Sequence, residues 1–193
     1  MFRNLLFTFA FLCLFPATSG AHPSSSPPAA DAGVDMASEE ESFPRIEGAG
    51  GVFAVPAEMP ERNTVHRLVL DAAGDARTPA GLNRRLDAAA RAVNLYALAG
   101  VPPENAKIAV VVHGKATAAV LSDEAFNAKF GKANPDADLL AKLRRAGVEV
   151  YVCGQALRHQ GYSLEDVHAD VRVSLSAMTK LASLQAAGYS LVP

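Results

Sequence analysis

From Val65 the chain runs Val-His-Arg-Leu-Val-Leu-Asp71, an apolar stretch closed by a carboxylate, and this pattern predicts a strand. Thr78-Pro79 supplies a capping residue followed by proline, so a helix is expected to open there. Leu82, Leu86, Ala89, Val93 and Tyr96 then recur at steps of three and four, tracing one helical face. Gly100 ends that helix, and Pro102 and Pro103 bar its continuation. Lys107-Ile-Ala-Val-Val-Val-His113-Gly114 shows no polar alternation and reads as a strand buried on both faces. Two short helices are expected next, one over 122–129 and one from Asn134-Pro135 through Arg145, closed by Gly147. Val148-Glu-Val-Tyr-Val-Cys153-Gly154 is a third strand. Ser163 with Asp166 resembles a capping box on a short helical turn, and Val171-Arg-Val173 reads as a fourth strand. Leu175, Met178, Leu181 and Leu184 mark a last helix stopped by Gly188, and Tyr189–Val192 completes the sheet.

Strands that alternate with helices define an α/β protein. The expected architecture is a three-layer α/β/α domain with a mainly parallel sheet of about five strands. The pattern leaves strand order open.

The flanks differ in character. Arg3 precedes an apolar run of about a dozen residues, and Ser19, Gly20 and Ala21 follow it, the layout of a secretory signal peptide cleaved after Ala21. The run is too short to span about 30 Å of hydrocarbon, so no membrane association is expected once it is removed. Residues 22–42, rich in Pro, Ser and Ala and ending in Glu39-Glu40-Glu41, read as a solvated tether. Residues 43–62, with Ile46, Val52, Phe53 and Val55 among glycines, read as an irregular arm on a domain spanning 63–193. Localisation is expected to be periplasmic or secreted.

Composition narrows the function. Half the residues are hydrophobic and 20% are charged, enough apolar material for a core and against global disorder. A net charge of −2 without a basic stripe argues against nucleic acid as a partner. Of the two cysteines, Cys13 lies inside the apolar leader. Cleavage leaves Cys153 alone, so an intramolecular disulfide is excluded and the thiol is buried, paired between chains, or reactive.

Three strands give out into polar residues, at Asp71, His113-Gly114 and Cys153-Gly154. Sites of open parallel sheets form beyond these carboxyl ends. Gly154 permits a close backbone approach, and Gln155-Ala156-Leu157 looks like a first helical turn, where exposed N–H groups favour a thiolate. Cys153 is the candidate nucleophile and His113 its candidate support, with Asp71, Gly114, Gly154 and Gln155 as candidate ligand contacts. Asp71 taken alone reads as a turn or cap former, and Cys153 taken alone is equally a small apolar filler. His159 and His168 read as solvated. No metal-ligand spacing, dinucleotide fingerprint, phosphate loop or nucleophile elbow is present, so neither metal nor cofactor is expected.

Val110-Val-Val-His113-Gly114, Val150-Tyr-Val-Cys153-Gly154-Gln155-Ala156-Leu157 and Gly188-Tyr-Ser-Leu-Val192 together resemble the DsrE/DsrF-like family, and its exported branch in particular. The resemblance implies a five-stranded, mainly parallel sheet in three layers and assembly as trimers or hexamers. It further implies that Cys153 carries sulfur as a persulfide, with a protein as sulfur donor or acceptor. A sulfur carrier is therefore the leading expectation, and a non-catalytic periplasmic module binding a small ligand or partner is the alternative. A scaffold with a core-filling cysteine is the third.

Overall fold

The computed structural model describes residues 40–192; the expected signal peptide and nearly all of the expected tether lie outside them. Five strands, β1 (His66–Ala72), β2 (Ala106–Val112), β3 (Glu149–Cys153), β4 (Val171–Ser174) and β5 (Ser190–Val192), form one sheet in the order β4-β3-β2-β1-β5. Every neighbouring pair is parallel. Helices cover both faces, giving the three-layer α/β/α architecture. On one face α1 (Arg84–Leu98) contributes Leu86, Ala89 and Val93, and α3 (Ala137–Arg145) contributes Leu139, Leu140 and Leu143 to the main core. On the other, α5 (Ala177–Ala186) packs Ala177 and Leu184 over a smaller cluster with Val69, Val111 and Tyr151. The unbroken apolar run of β2 follows from this: Val110 faces the first cluster and Val111 the second, and neither is exposed.

Two expected starts move. The first helix begins at Asn83, whose side chain accepts the Arg85 and Leu86 N–H groups, and not at Thr78-Pro79. Thr78 instead closes a turn, accepting the N–H of Gly81 on its carbonyl. The cause is tertiary. The buried Asp136 carboxylate takes the Asn83 N–H at 2.6 Å and the Arg77 guanidinium, holding 77–83 as a loop. Ser163–Asp166 is a turn and not helical. The Ser163 N–H does reach Asp166 Oδ2 at 2.7 Å, but the Asp166 carbonyl is already taken by the Ser122 N–H and the His168 N–H by the Val120 carbonyl. Those cross-chain bonds divert the backbone from helical geometry.

Four further elements run between the strands: short 3₁₀ helices over Pro103–Asn105 and Gly114–Val120, α2 (Asp123–Phe130) capped by Ser122, and α4 (Gly154–His159). Residues 43–52 lie against α1: Ile46 and Ala49 join the main core, the Gly50 N–H donates to Asp87 Oδ1 at 2.8 Å, and one buried side chain gathers the backbone groups around them. Asn94 Oδ1 accepts the N–H groups of Arg45 and Ile46, and its Nδ2 donates to the carbonyls of Ile46, Ala49 and Gly50. Gly50 is required there, because a Cβ would fall 2.1 Å from the Arg91 backbone nitrogen.

Candidate functional site

Parallel register carries three strand ends to one edge of the sheet. Asp71 pairs with Val111 and Val111 with Tyr151. Side chains alternate between faces along a strand, and Val69, Val111 and Tyr151 all lie in the α5-side cluster. Asp71, His113 and Cys153 each stand two residues further on, so all three return to that face. His113 lies one residue past β2, yet its backbone is still extended, at φ −158° and ψ −174°. Its N–H continues the pairing by donating to the Ala72 carbonyl at 2.9 Å.

Asp71 and His113 meet. Asp71 Oδ1 is 2.6 Å from His113 Nε2, and both side chains are partly open to solvent. An ionised carboxylate only accepts, so Nε2 donates and Nδ1 is left as the acceptor nitrogen. Gly114 turns the chain away at φ +54°, a conformation a side chain would strain, and a Cβ there would also crowd the Ala73 carbonyl at 3.0 Å. Its own carbonyl accepts Thr117 Oγ1 at 2.8 Å and Gln160 Nε2 at 2.7 Å. Gln160 follows α4 directly and so ties the His113 turn to the helix that begins after the thiol.

Cys153 caps α4, with Sγ accepting the Ala156 N–H at 3.4 Å. Among the described residues this is the one hydrogen bond of its sulfur, and the residue is 6% exposed. Strand order settles a question the sequence leaves open: β2 and β3 are neighbours, with Val112 paired to Val152, so His113 and Cys153 leave adjacent strands together. The two side chains are not hydrogen-bonded to each other. Gly154 serves close approach, since a Cβ would lie 3.0 Å from the Ser174 carbonyl. Gln155 donates to the Leu175 carbonyl at 3.4 Å and lines, with Gly154, Arg158 and Leu175, an open cavity of about 480 Å³. Asp71 borders a different cavity, with Arg84 and Arg85. The candidate ligand contacts are thus not brought together: Gly154 and Gln155 line one hollow, Asp71 another, and Gly114 neither. Among the described residues no group of three or more His, Cys, Asp or Glu is disposed to hold a metal ion.

Gln160 and Ser174 were not singled out in the sequence. Ser174 donates to the Val152 carbonyl at 3.0 Å and fixes β4 against the thiol-bearing strand. Neither lies in an apolar pattern, and no local signal marks either one.

An all-parallel five-stranded sheet with a cysteine at the carboxyl end of an inner strand defines a class of small α/β protein. Within that class the chain belongs to the DsrE/DsrF-like family, whose model matches residues 68–193, and it has that family's sulfur-relay-type fold. No curated protein sequence matches it. Among solved structures it is similar to MTH1491, a protein of unknown function from Methanobacterium thermoautotrophicum, with a TM-score of 0.51 and 20% identity over 66% of this chain and 97% of that one. The ychN protein from E. coli aligns with a TM-score of 0.48 and 19% identity over the same shares. At such identities the likeness concerns the fold.

Proposed function

We propose that this protein is a sulfur carrier that holds a persulfide on Cys153. One observation supports this above others: the thiol sulfur accepts a backbone N–H at the start of α4 while standing, in register and on the same sheet face, beside an imidazole oriented by a carboxylate. The Ala156 N–H is a donor within reach of the sulfur that would carry the persulfide. His113 Nδ1 is the nitrogen left to take the thiol proton, and Asp71 then stabilises the imidazolium. The thiolate attacks the outer sulfur of a sulfane donor such as thiosulfate, forming a Cys–S–S⁻ persulfide and releasing sulfite. A second thiolate then takes the outer sulfur and returns the Cys153 thiolate. No redox cofactor enters, because sulfur moves between nucleophiles.

The same reading places the mature chain in the periplasm or outside the cell, on the strength of its leader pattern. It also makes the working form a homo-oligomer, a trimer or hexamer; Leu175 and Met178, 74% and 80% exposed beside the thiol edge, favour such a contact.

The 6% exposure of Cys153 favours a second reading, in which the thiol is packing and the neighbouring cavities bind a ligand or partner. Alkylation of the native protein by iodoacetamide at mildly acidic pH separates the two. The carrier reading predicts stoichiometric modification faster than that of the unfolded chain; the second predicts modification only after denaturant is added.

A further inference from the structure

At the sheet edge opposite Cys153, Pro103 leads into β2 and Ala146 into β3. Together with residues 45–47 of the arm they enclose a cavity of about 360 Å³. Its charged lining is Arg45 and Glu47 from the arm and Lys142 and Arg145 from the last turn of α3. The protein as a whole carries a net charge of −2, so three cations around one hollow are a local departure.

The two arginines are its uncommitted members. Lys142 is matched by Asp138, whose Oδ2 lies 2.7 Å from Nζ, and it donates to the Glu47 carbonyl at 3.0 Å. Among the described residues neither Arg45 nor Arg145 has a side-chain hydrogen bond or ion pair. Basic residues in a last helical turn often serve its free carbonyls. Here the carbonyls of Lys142, Leu143 and Arg144 already accept the N–H groups of Ala146, Val148 and Gly147. The helix end therefore does not account for Arg145. The arm that carries Arg45 is fixed, because Asn94 Oδ1 accepts the Arg45 and Ile46 N–H groups and the Lys142–Glu47 bond joins it to α3. With Lys142 offset by Asp138, Glu47 alone opposes two guanidinium groups, and the hollow keeps a net positive charge.

A planar carboxylate is satisfied by one guanidinium fork, whereas a tetrahedral oxyanion has oxygens for two. The volume leaves room for a small group attached to it. We propose that this cavity binds the phosphate group of a small soluble monoester, held between Arg45 and Arg145. The site is independent of Cys153 and of the sulfur chemistry.

The experiment is a titration followed by amide NMR at constant ionic strength, with glycerol 3-phosphate, inorganic phosphate and acetate as probes. Saturable binding of one glycerol 3-phosphate per chain is expected, with shifts centred on residues 45–47 and 142–146. Arg45→Gln and Arg145→Gln should each weaken it at least about tenfold. Glu47→Gln should tighten it roughly threefold, because a like charge leaves the cavity. Arg144→Gln, on the same turn but outside the lining, should leave it unchanged, which separates a site from a diffuse basic surface. All four side chains are exposed, and circular dichroism confirms that each variant is folded. Shifts that never saturate, equal losses in Arg144→Gln and Arg145→Gln, or weakening by Glu47→Gln would overturn the proposal. So would acetate binding as tightly as phosphate, which would make the hollow a seat for a carboxylate. Binding to phosphatidic acid vesicles without binding of glycerol 3-phosphate would overturn it too, and would assign the cavity to a lipid headgroup.

Discussion

A carboxylate 2.6 Å from an imidazole fixes which ring nitrogen holds the proton, and at this edge it leaves His113 Nδ1 as the basic atom. Asp71→Asn keeps the shape but removes the preference, because an amide can present either a donor or an acceptor. Native alkylation of Cys153 at neutral pH is expected to slow by about tenfold in Asp71→Asn, which keeps the imidazole, and by about a hundredfold or more in His113→Gln, the range typical of lost general-base assistance. Equal rates in all three proteins would detach the pair from the thiol. Asn94 is a polar residue whose loss should weigh heavily on stability. Its five bonds to residues 45–50 satisfy buried backbone groups, and Asn94→Ala leaves them unpaired. Urea unfolding should show a loss of about 2–4 kcal/mol. Neither role is written in the local sequence. Asp71 reads as a turn residue until its neighbour across β1 and β2 is known, and Asn94 is one polar position on a helix whose partners lie some 45 residues away.

Among the elements, the loop before α1 is governed by Asp136. Burial pushes its carboxyl above the usual carboxylate range, and the Asn83 N–H and Arg77 guanidinium hold against that rise without cancelling it. The sign follows from linkage. A carboxyl whose folded value is raised binds its proton more tightly in the native state, so its contribution is full at low pH and is lost as pH climbs through the raised value. Asp136→Asn, which mimics the protonated acid, should remove that part of the pH dependence. Urea midpoints compared from mildly acidic to neutral pH test this, and an unchanged slope would refute it. Strand identities and the α1 and α3 faces were legible from periodicity, since β2 and β3 bury continuous and α1 and α3 stepped apolar positions. Of the face expected for α5, by contrast, only Leu184 is buried and Leu175 lies before the helix. The start of α1 was not legible, because Thr78-Pro79 is a sound local signal overruled by a carboxylate 58 residues beyond Thr78. The helical turn expected at Ser163–Asp166 gave way to a plain turn in the same manner, through bonds with residues 120–122.

At the scale of the whole molecule, the two faces of the sheet are unequal. The α1–α3 face buries a broad core, and Leu140→Ala within it should cost about 2–5 kcal/mol, read by urea unfolding. The α5 face is covered more sparsely, and it is the face toward which Asp71, His113 and Cys153 all point. Class and layering could be read from the alternation of strands and helices. Strand order could not, because parallel strands joined by helices carry no local mark of their neighbours. That order is what sets His113 beside Cys153. If Leu175 and Met178 mediate assembly, sedimentation should find a species larger than one chain that Met178→Glu dissociates.

The most direct test of the account is the intact mass of the native protein after exposure to thiosulfate or polysulfide. The account predicts one added sulfur atom, removed by a thiol reductant and absent from Cys153→Ser. A native protein that gains no sulfur, or gains it only once unfolded, would contradict it and leave Cys153 as part of the packing under α5.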